Sequence, residues 1–283
     1  MLGKVFKYEF KAEFKLFAPI CLVVTAITFL EVIMHLVNSQ IPEKIAIFGL
    51  TSVLAYMSTG IMVFVGFALV GVASLLSTYL FYKSVAGNEG YLTHTLPVTK
   101  MKLVVGKNLA AFVANILVTL YVAVLLIISV SIAHRETATV VWREISTGLK
   151  TAFSWDKIPV LAIIAAILMI IAFLVAFYSR ISIFYACVSI GQINNNHKII
   201  MSVVVYIIYT VITQTISSIL SVVMSLAVPA LDSKMDSLNN IIEANPETFM
   251  IGVALTVIVL NVLFAWLFNY ISARMLKNHL NLE

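Results

Sequence analysis

The sequence predicts an all-α integral membrane protein with six transmembrane helices, an amphipathic interfacial helix at the N-terminus, and both termini in the cytoplasm. Three observations carry this expectation. The chain has 283 residues, of which 61% are hydrophobic and only 11% charged, whereas a soluble domain carries roughly 25% charged residues. Its mean hydropathy of +1.05 comes from runs that reach the ~20 apolar residues needed to cross a bilayer. Lysine and arginine also fall unevenly between the two sides that six crossings define.

Residues 1–17 open the chain with Phe6, Phe10, Phe14 and Phe17 along one helical stripe and Lys4, Lys7, Lys11 and Lys15 along an adjoining one. Rings beside ammonium groups suit a helix lying in the membrane interface, and equally a charged leader to the first span. No small-x-small site closes the apolar run from Ala18 to Val37, so a cleaved signal peptide is not expected. The first span covers about 19–37, with Glu31 near its outer end as a snorkelling carboxylate. Ile45 to Tyr82 contains no charge. It holds the second span, about 50–80, in which Gly60, Gly66 and Gly71 mark close helix approaches or kinks.

Lys83 to Lys107 follows as the longest polar interruption on its side. Gly87 and Gly90 permit turns, Pro97 stops or redirects a helix, and Tyr91, Leu92 and Leu96 recur at helical spacing between them. A short helix from Glu89 to Pro97, apolar on one face and outside the bilayer, calls for a protein partner. The third span covers about 108–133. In the loop after it, Val141, Ile145, Leu149 and Phe153, with Trp142 and Trp155, suggest a helix resting on the outer surface. The fourth span, about 158–178, continues towards a polar turn at 191–198, and the fifth covers about 199–227. An acidic outer loop, 232–247, carries Leu231, Met235, Leu238 and Ile242 on one face of a short amphipathic helix. The sixth span covers about 250–271. The whole chain forms one transmembrane domain.

Twelve of the 18 lysines and arginines lie on the side of the termini and six on the other. Excess positive charge stays in the cytoplasm, which places the termini and the 83–107 loop inside and the protein in the cytoplasmic membrane. The net charge of +5 flanks apolar spans rather than forming a patch, so membrane lipids, not nucleic acid, are the expected partners. Cys21 and Cys187 lie in apolar segments and make no disulfide framework.

No catalytic constellation is visible. Gly106-Lys107 lacks the earlier glycine and following hydroxyl of a phosphate loop, and the five histidines are scattered without metal-ligand spacing. Neither an enzyme nor a metal site is expected. The middles of the spans lack acidic residues, which argues against a proton- or sodium-coupled carrier or channel. A scaffold or sensor subunit without transport activity is a further alternative.

The loop Asn88-Glu89-Gly90-Tyr91-Leu92-Thr93-His94-Thr95-Leu96-Pro97-Val98-Thr99, followed by Gly106-Lys107, resembles the signature of membrane subunits of type-2 ABC exporters. The second loop, Ser189-Ile190-Gly191-Gln192 with His197-Lys198, is similar to the short version in permeases of Gram-positive bacteria. The family commonly has Thr-Leu-Glu after the glycine; here Tyr91-Leu92-Thr93 stands there, which leaves the substrate open. The resemblance implies a half-transporter that pairs with a second permease and docks, through Glu89, Gly90, Tyr91, Leu92, Leu96 and Pro97, on a separate cytoplasmic ATPase. That partner would bind ATP and Mg, with no cofactor in this chain. The cargo would be an amphipathic peptide, lipid-like or drug-like molecule.

Along the fifth span Tyr206, Thr210, Thr213, Ser217 and Ser221 follow spacings of 4, 3, 4 and 4 on one helical face. The stripe suits ordinary helix packing or a translocation path at a permease dimer interface. The resemblance points to the second, since family members place this span at the dimer centre.

Overall fold

The computed structural model describes residues 2–40, 50–85, 87, 90–95, 97–133, 139, 143–144, 146–148, 160–194, 197–230 and 246–278. Among the described residues there are helices and no strands. Seven helices organise them: α1 (Leu2–Gln40), α2 (Leu50–Val85), α3 (Gly90–Thr95), α4 (Lys100–Ala133), α5 (Val160–Gly191), α6 (Lys198–Ala230) and α7 (Pro246–Asn278). All but α3 are long and apolar enough to cross a membrane, which marks the chain as a multi-pass membrane protein. Five of the expected spans lie inside one helix each, and the fourth, expected from 158, falls on a helix described from Val160, so that 158–159 lie outside the described residues. At about 1.5 Å per residue, the 39 residues of α1 reach ~58 Å, nearly twice the thickness of a hydrocarbon core.

The exposed surface explains why the chain needs lipid. Leu22, Phe64, Phe67 and Phe173 are among its exposed side chains. Water would make such an expanse of apolar surface an aggregation site, and acyl chains solvate it.

The chain divides into two compact units. The first comprises Gly3–Leu80 and Leu109–Lys157, and so holds α1, most of α2 and most of α4. Its core is Phe17 and Val24 from α1, Met62, Leu69 and Ala73 from α2, and Ala114, Val118, Val122 and Leu125 from α4. These recur at spacings of three, four and seven, so each helix turns one continuous stripe inward. A Cβ on Gly66 would sit 3.1 Å from Leu126 and Val122 side-chain atoms, so this glycine lets α2 approach α4 closely. Gly60 and Gly71, expected to do the same, have no such neighbour within 4 Å.

Residues 2–17 do not form a separate helix. They are the opening turns of α1, which continues through Pro19. Phe17 lies in the three-helix core, Phe10 packs against it, and Phe14 stays exposed. Phe6 stacks on Phe10 at 5.9 Å between ring centres.

The second unit comprises Phe81–Asn108 and Ile158–Glu283. There α5 packs along α7 and, less extensively, α6. Small buried residues, Ala165, Ala172, Ser179 and Ala186 on α5 and Ala254, Ala265 and Ala273 on α7, let backbones approach where lipid provides no hydrophobic drive. Rings complete the contacts: Phe184 stacks on Tyr206 at 5.0 Å, and Tyr209 meets Phe268 edge-on at 5.8 Å. A Cβ on Gly191 would fall 2.6 Å from the Ser202 backbone nitrogen, so the end of α5 closes on the first turns of α6 only because no side chain stands there. Cys187 is buried, and both cysteines are free thiols.

In the loop after α4, described residues 143–144 and 146–148 are helical and exposed. The stripe of Val141, Ile145, Leu149 and Phe153 lies outside the described residues, as do 231–245 of the acidic loop.

Candidate functional site

The expected coupling segment belongs to the second unit. The Gly87 amide donates to the Tyr82 carbonyl at 3.1 Å, a six-to-one bond that closes α2. The Gly90 amide then donates to the Gly87 carbonyl at 2.8 Å, and α3 starts there. Gly90 is buried, Leu92 lies within α3, and Tyr91 is 69% exposed. Pro97 is exposed beyond the helix, whereas Glu89 and Leu96 lie outside the described residues. Thr99 caps α4, its carbonyl accepting from the Leu103 amide at 3.0 Å. Residues 100–107, expected as loop, are therefore helix.

Behind this segment, Lys107 is 2% exposed and donates to Ser84 Oγ at 2.9 Å, tying α4 back to the last turns of α2. Asn108 Nδ2 donates to Ser182 Oγ at 2.6 Å and to Asn269 Oδ1 at 3.0 Å. Asn269 Nδ2 in turn reaches Tyr178 Oη and Ser182 Oγ, each at 3.3 Å. Amides and hydroxyls from α4, α5 and α7 thus form one buried polar knot. Phe81 stacks on Tyr185 at 3.9 Å, both buried. The ends of α2 and α4 that flank α3 are thereby tied to each other and to α5.

The α6 stripe stays on the surface. Tyr206 is half-buried, and Thr210, Thr213, Ser217 and Ser221 are exposed on the least buried of the six long helices. Thr210 and Thr213 donate to the carbonyls of Tyr206 and Tyr209, each at 2.9 Å. Their donors are satisfied within the helix, and the face remains available to a second subunit or to cargo.

The first unit holds what sequence reasoning missed. Glu31, expected to snorkel at a span end, is 3% exposed; it accepts from Ser129 Oγ at 2.7 Å, and its Oε2 has no hydrogen-bond partner among the described residues. Glu13, expected in an interfacial helix, is 2% exposed and accepts from Ser77 Oγ at 2.9 Å. Asn115 Nδ2 donates to Ser77 Oγ at 2.7 Å, and Asn115 Oδ1 accepts from Ser74 Oγ at 3.4 Å. Further along, the hydroxyls of Thr25 and Tyr121 hydrogen-bond. His35 Nε2 and Thr59 Oγ1 lie 2.8 Å apart.

Glu13 to His35 spans 22 residues of α1, ~33 Å, about one hydrocarbon thickness. Both carboxylates are thus buried among helices, which corrects the expectation that Glu31 snorkels. One signal could have found the seam: Glu13, Phe17, Val24, Thr28, Glu31 and His35 follow spacings of 4, 7, 4, 3 and 4 on one helical face. Beside the same three-helix core, Phe10, Phe14 and Phe17 with Ala114, Leu117 and Tyr121 line an apolar groove of about 350 Å³. Phe10, Phe14 and Phe17 thus border a groove shared with α4. Among the described residues no group of three or more His, Cys, Asp or Glu is placed to hold a metal ion.

The chain matches no family model, no curated protein and no solved structure.

Proposed function

We propose that this chain is the membrane subunit of an ATP-driven exporter, in which α3 engages a separate ATPase and the α6 stripe faces a second permease. The observation that carries this reading is α3 itself: a six-residue helix between two spanning helices, bounded by Gly87 and Pro97, with a large aromatic side chain exposed. An apolar ring outside the spans is poorly solvated by water and finds its cover on a protein partner. The base under it, formed by the Lys107–Ser84 bond and the Phe81–Tyr185 stack, would pass a push on α3 to α4 and α5. The exposed hydroxyls of α6, without fixed charge, suit an amphipathic peptide, lipid-like or drug-like cargo. ATP and Mg would be bound by the partner. Both termini and α3 then lie on the cytoplasmic side of the cell membrane. Purification of the native chain in mild detergent tests this: a stoichiometric subunit carrying a phosphate loop upholds the reading, and its absence from intact complexes contradicts it.

The buried carboxylates favour a second reading, a gradient-driven carrier. Ionisable groups inside a membrane commonly mark ion or proton pathways, and the Glu13–His35 seam lies within one three-helix unit. Glu31→Gln separates the two. It keeps the shape and the Ser129 contact but removes the ionisable group. An ATP-driven exporter is expected to retain ATP hydrolysis and transport in this variant; a carrier is expected to lose transport.

A further inference from the structure

At the C-terminal end of α7 the second unit holds a cavity of about 870 Å³. Its wall on α7 follows one helical face: Trp266, Tyr270, Arg274 and Lys277, at spacings of 4, 4 and 3. The opposite wall is the start of α4 and the residues before it, Val98 to Met101, which add Lys100. Among the described residues no acidic side chain lines the cavity. Trp266 and Tyr270 stack at 5.8 Å, and Arg274 Nη1 donates to Tyr270 Oη at 3.5 Å.

Over ~16 Å the α7 wall grades from an indole, through a phenol, to two cations. That order matches a phospholipid read from its acyl chain, through its glycerol, to its phosphate. Trp and Tyr favour the level of the headgroups, and clustered basic side chains at a helix end attract anionic lipid. Arginine adds a planar fork of donors suited to phosphate oxygens. Apolar cargo alone would not call for three cations, and a soluble anion alone would not call for Trp266.

We propose that this cavity binds an acidic phospholipid, its phosphate held by Arg274, Lys277 and Lys100 and its acyl chain lying along Trp266. The proposal does not depend on whether the chain works with an ATPase. Inorganic phosphate shares the headgroup chemistry, so the test distinguishes the two sources.

With Trp142→Phe and Trp155→Phe, Trp266 is the only tryptophan, and acyl-brominated lipids in mixed micelles report contact by quenching it. Brominated phosphatidylglycerol is expected to quench at a much lower mole fraction than brominated phosphatidylcholine. Arg274→Gln with Lys277→Gln is expected to lower that preference by roughly 30-fold. Arg274→Lys with Lys277→Arg should keep most of it, and because both positions are exposed, folding should survive. Inorganic phosphate, added at constant ionic strength, should leave the phosphatidylglycerol quenching in place. Relief of quenching by phosphate would overturn the lipid in favour of a free phosphate at the same cations. Equal quenching by the two lipids, or a preference that survives in the double glutamine variant, would overturn the site.

Discussion

On α1, Glu13, Thr28, Glu31 and His35 turn into the core shared with α2 and α4, whereas on α6 Thr210, Thr213, Ser217 and Ser221 remain on the exposed surface. Both sets are polar stripes on apolar helices, and their chemistry separates them. A threonine or serine hydroxyl returns its proton to the carbonyl four residues earlier, as Thr210 and Thr213 do. The donors of Thr210 and Thr213 are therefore not left facing lipid, and a face built of such groups can point outward at little cost. A carboxyl group has no equivalent, because the amide protons of its own helix interior are already used. It must find donors on other helices, and Ser77 and Ser129 supply them. A hydroxyl stripe therefore leaves a helix free to face lipid, cargo or a partner, while a carboxylate stripe commits it to its own bundle.

Variants that exchange polar for apolar groups in the α1–α2–α4 seam and on the α6 stripe should give opposite results. The free thiols Cys21 and Cys187 provide a readout, since a thiol-reactive dye follows their exposure on heating in detergent. The largest effect is expected for Asn115→Leu, which removes the donor to Ser77 and the acceptor for Ser74 in one step. Ser77 keeps Glu13 and Ser74 keeps the Val70 carbonyl as partners, so the cost is that of two buried hydrogen bonds, about 3 kcal/mol. A melting temperature unchanged in this variant would mean that the seam does not hold the first unit together.

A smaller loss is expected for Gly191→Ala, where the added methyl meets the Ser202 backbone 2.6 Å away. The cost should be about 2 kcal/mol, since backbone must shift to accommodate it. It sharpens the comparison by asking whether α6, bare along most of its length, is secured at its first turns. The smallest effect is expected for Thr213→Val, within about 0.5 kcal/mol, because the hydroxyl serves only its own helix. A drop as large as that of Asn115→Leu would erase the distinction between the stripes.

The sequence shows plainly the features that depend on chain-local chemistry. Uncharged runs locate the six long helices, and Gly87, Gly90 and Pro97 delimit a short helix before Thr99 caps the next. The α6 stripe is readable because its period is strict. What escaped was which side of a helix its neighbours cover. Phe17 and Glu13 sit on one face of α1, but rings beside lysines read as a lipid-facing stripe until α2 and α4 are seen against them. The place of Glu31 near a span end suggests a snorkelling carboxylate, whereas Ser129 on α4 decides its surroundings. Gly60, Gly66 and Gly71 look alike in sequence; only Gly66 has a partner helix close enough to need it. In each case a long-range contact settles the outcome, and local periodicity does not encode it.

The proposed docking role of α3 is tested most directly by changing Tyr91, whose side chain is exposed. Tyr91→Asp places a charge on that surface and removes its apolar ring, with Thr213→Val as a control on the other polar face. The measurement is the amount of ATPase subunit that co-purifies with each variant from membranes, relative to the amount of this chain, each variant first shown to keep its melting temperature. The expected result is loss of most of the ATPase with Tyr91→Asp and full retention with Thr213→Val. A Tyr91→Asp protein that keeps its ATPase in stoichiometric amount would contradict docking through α3.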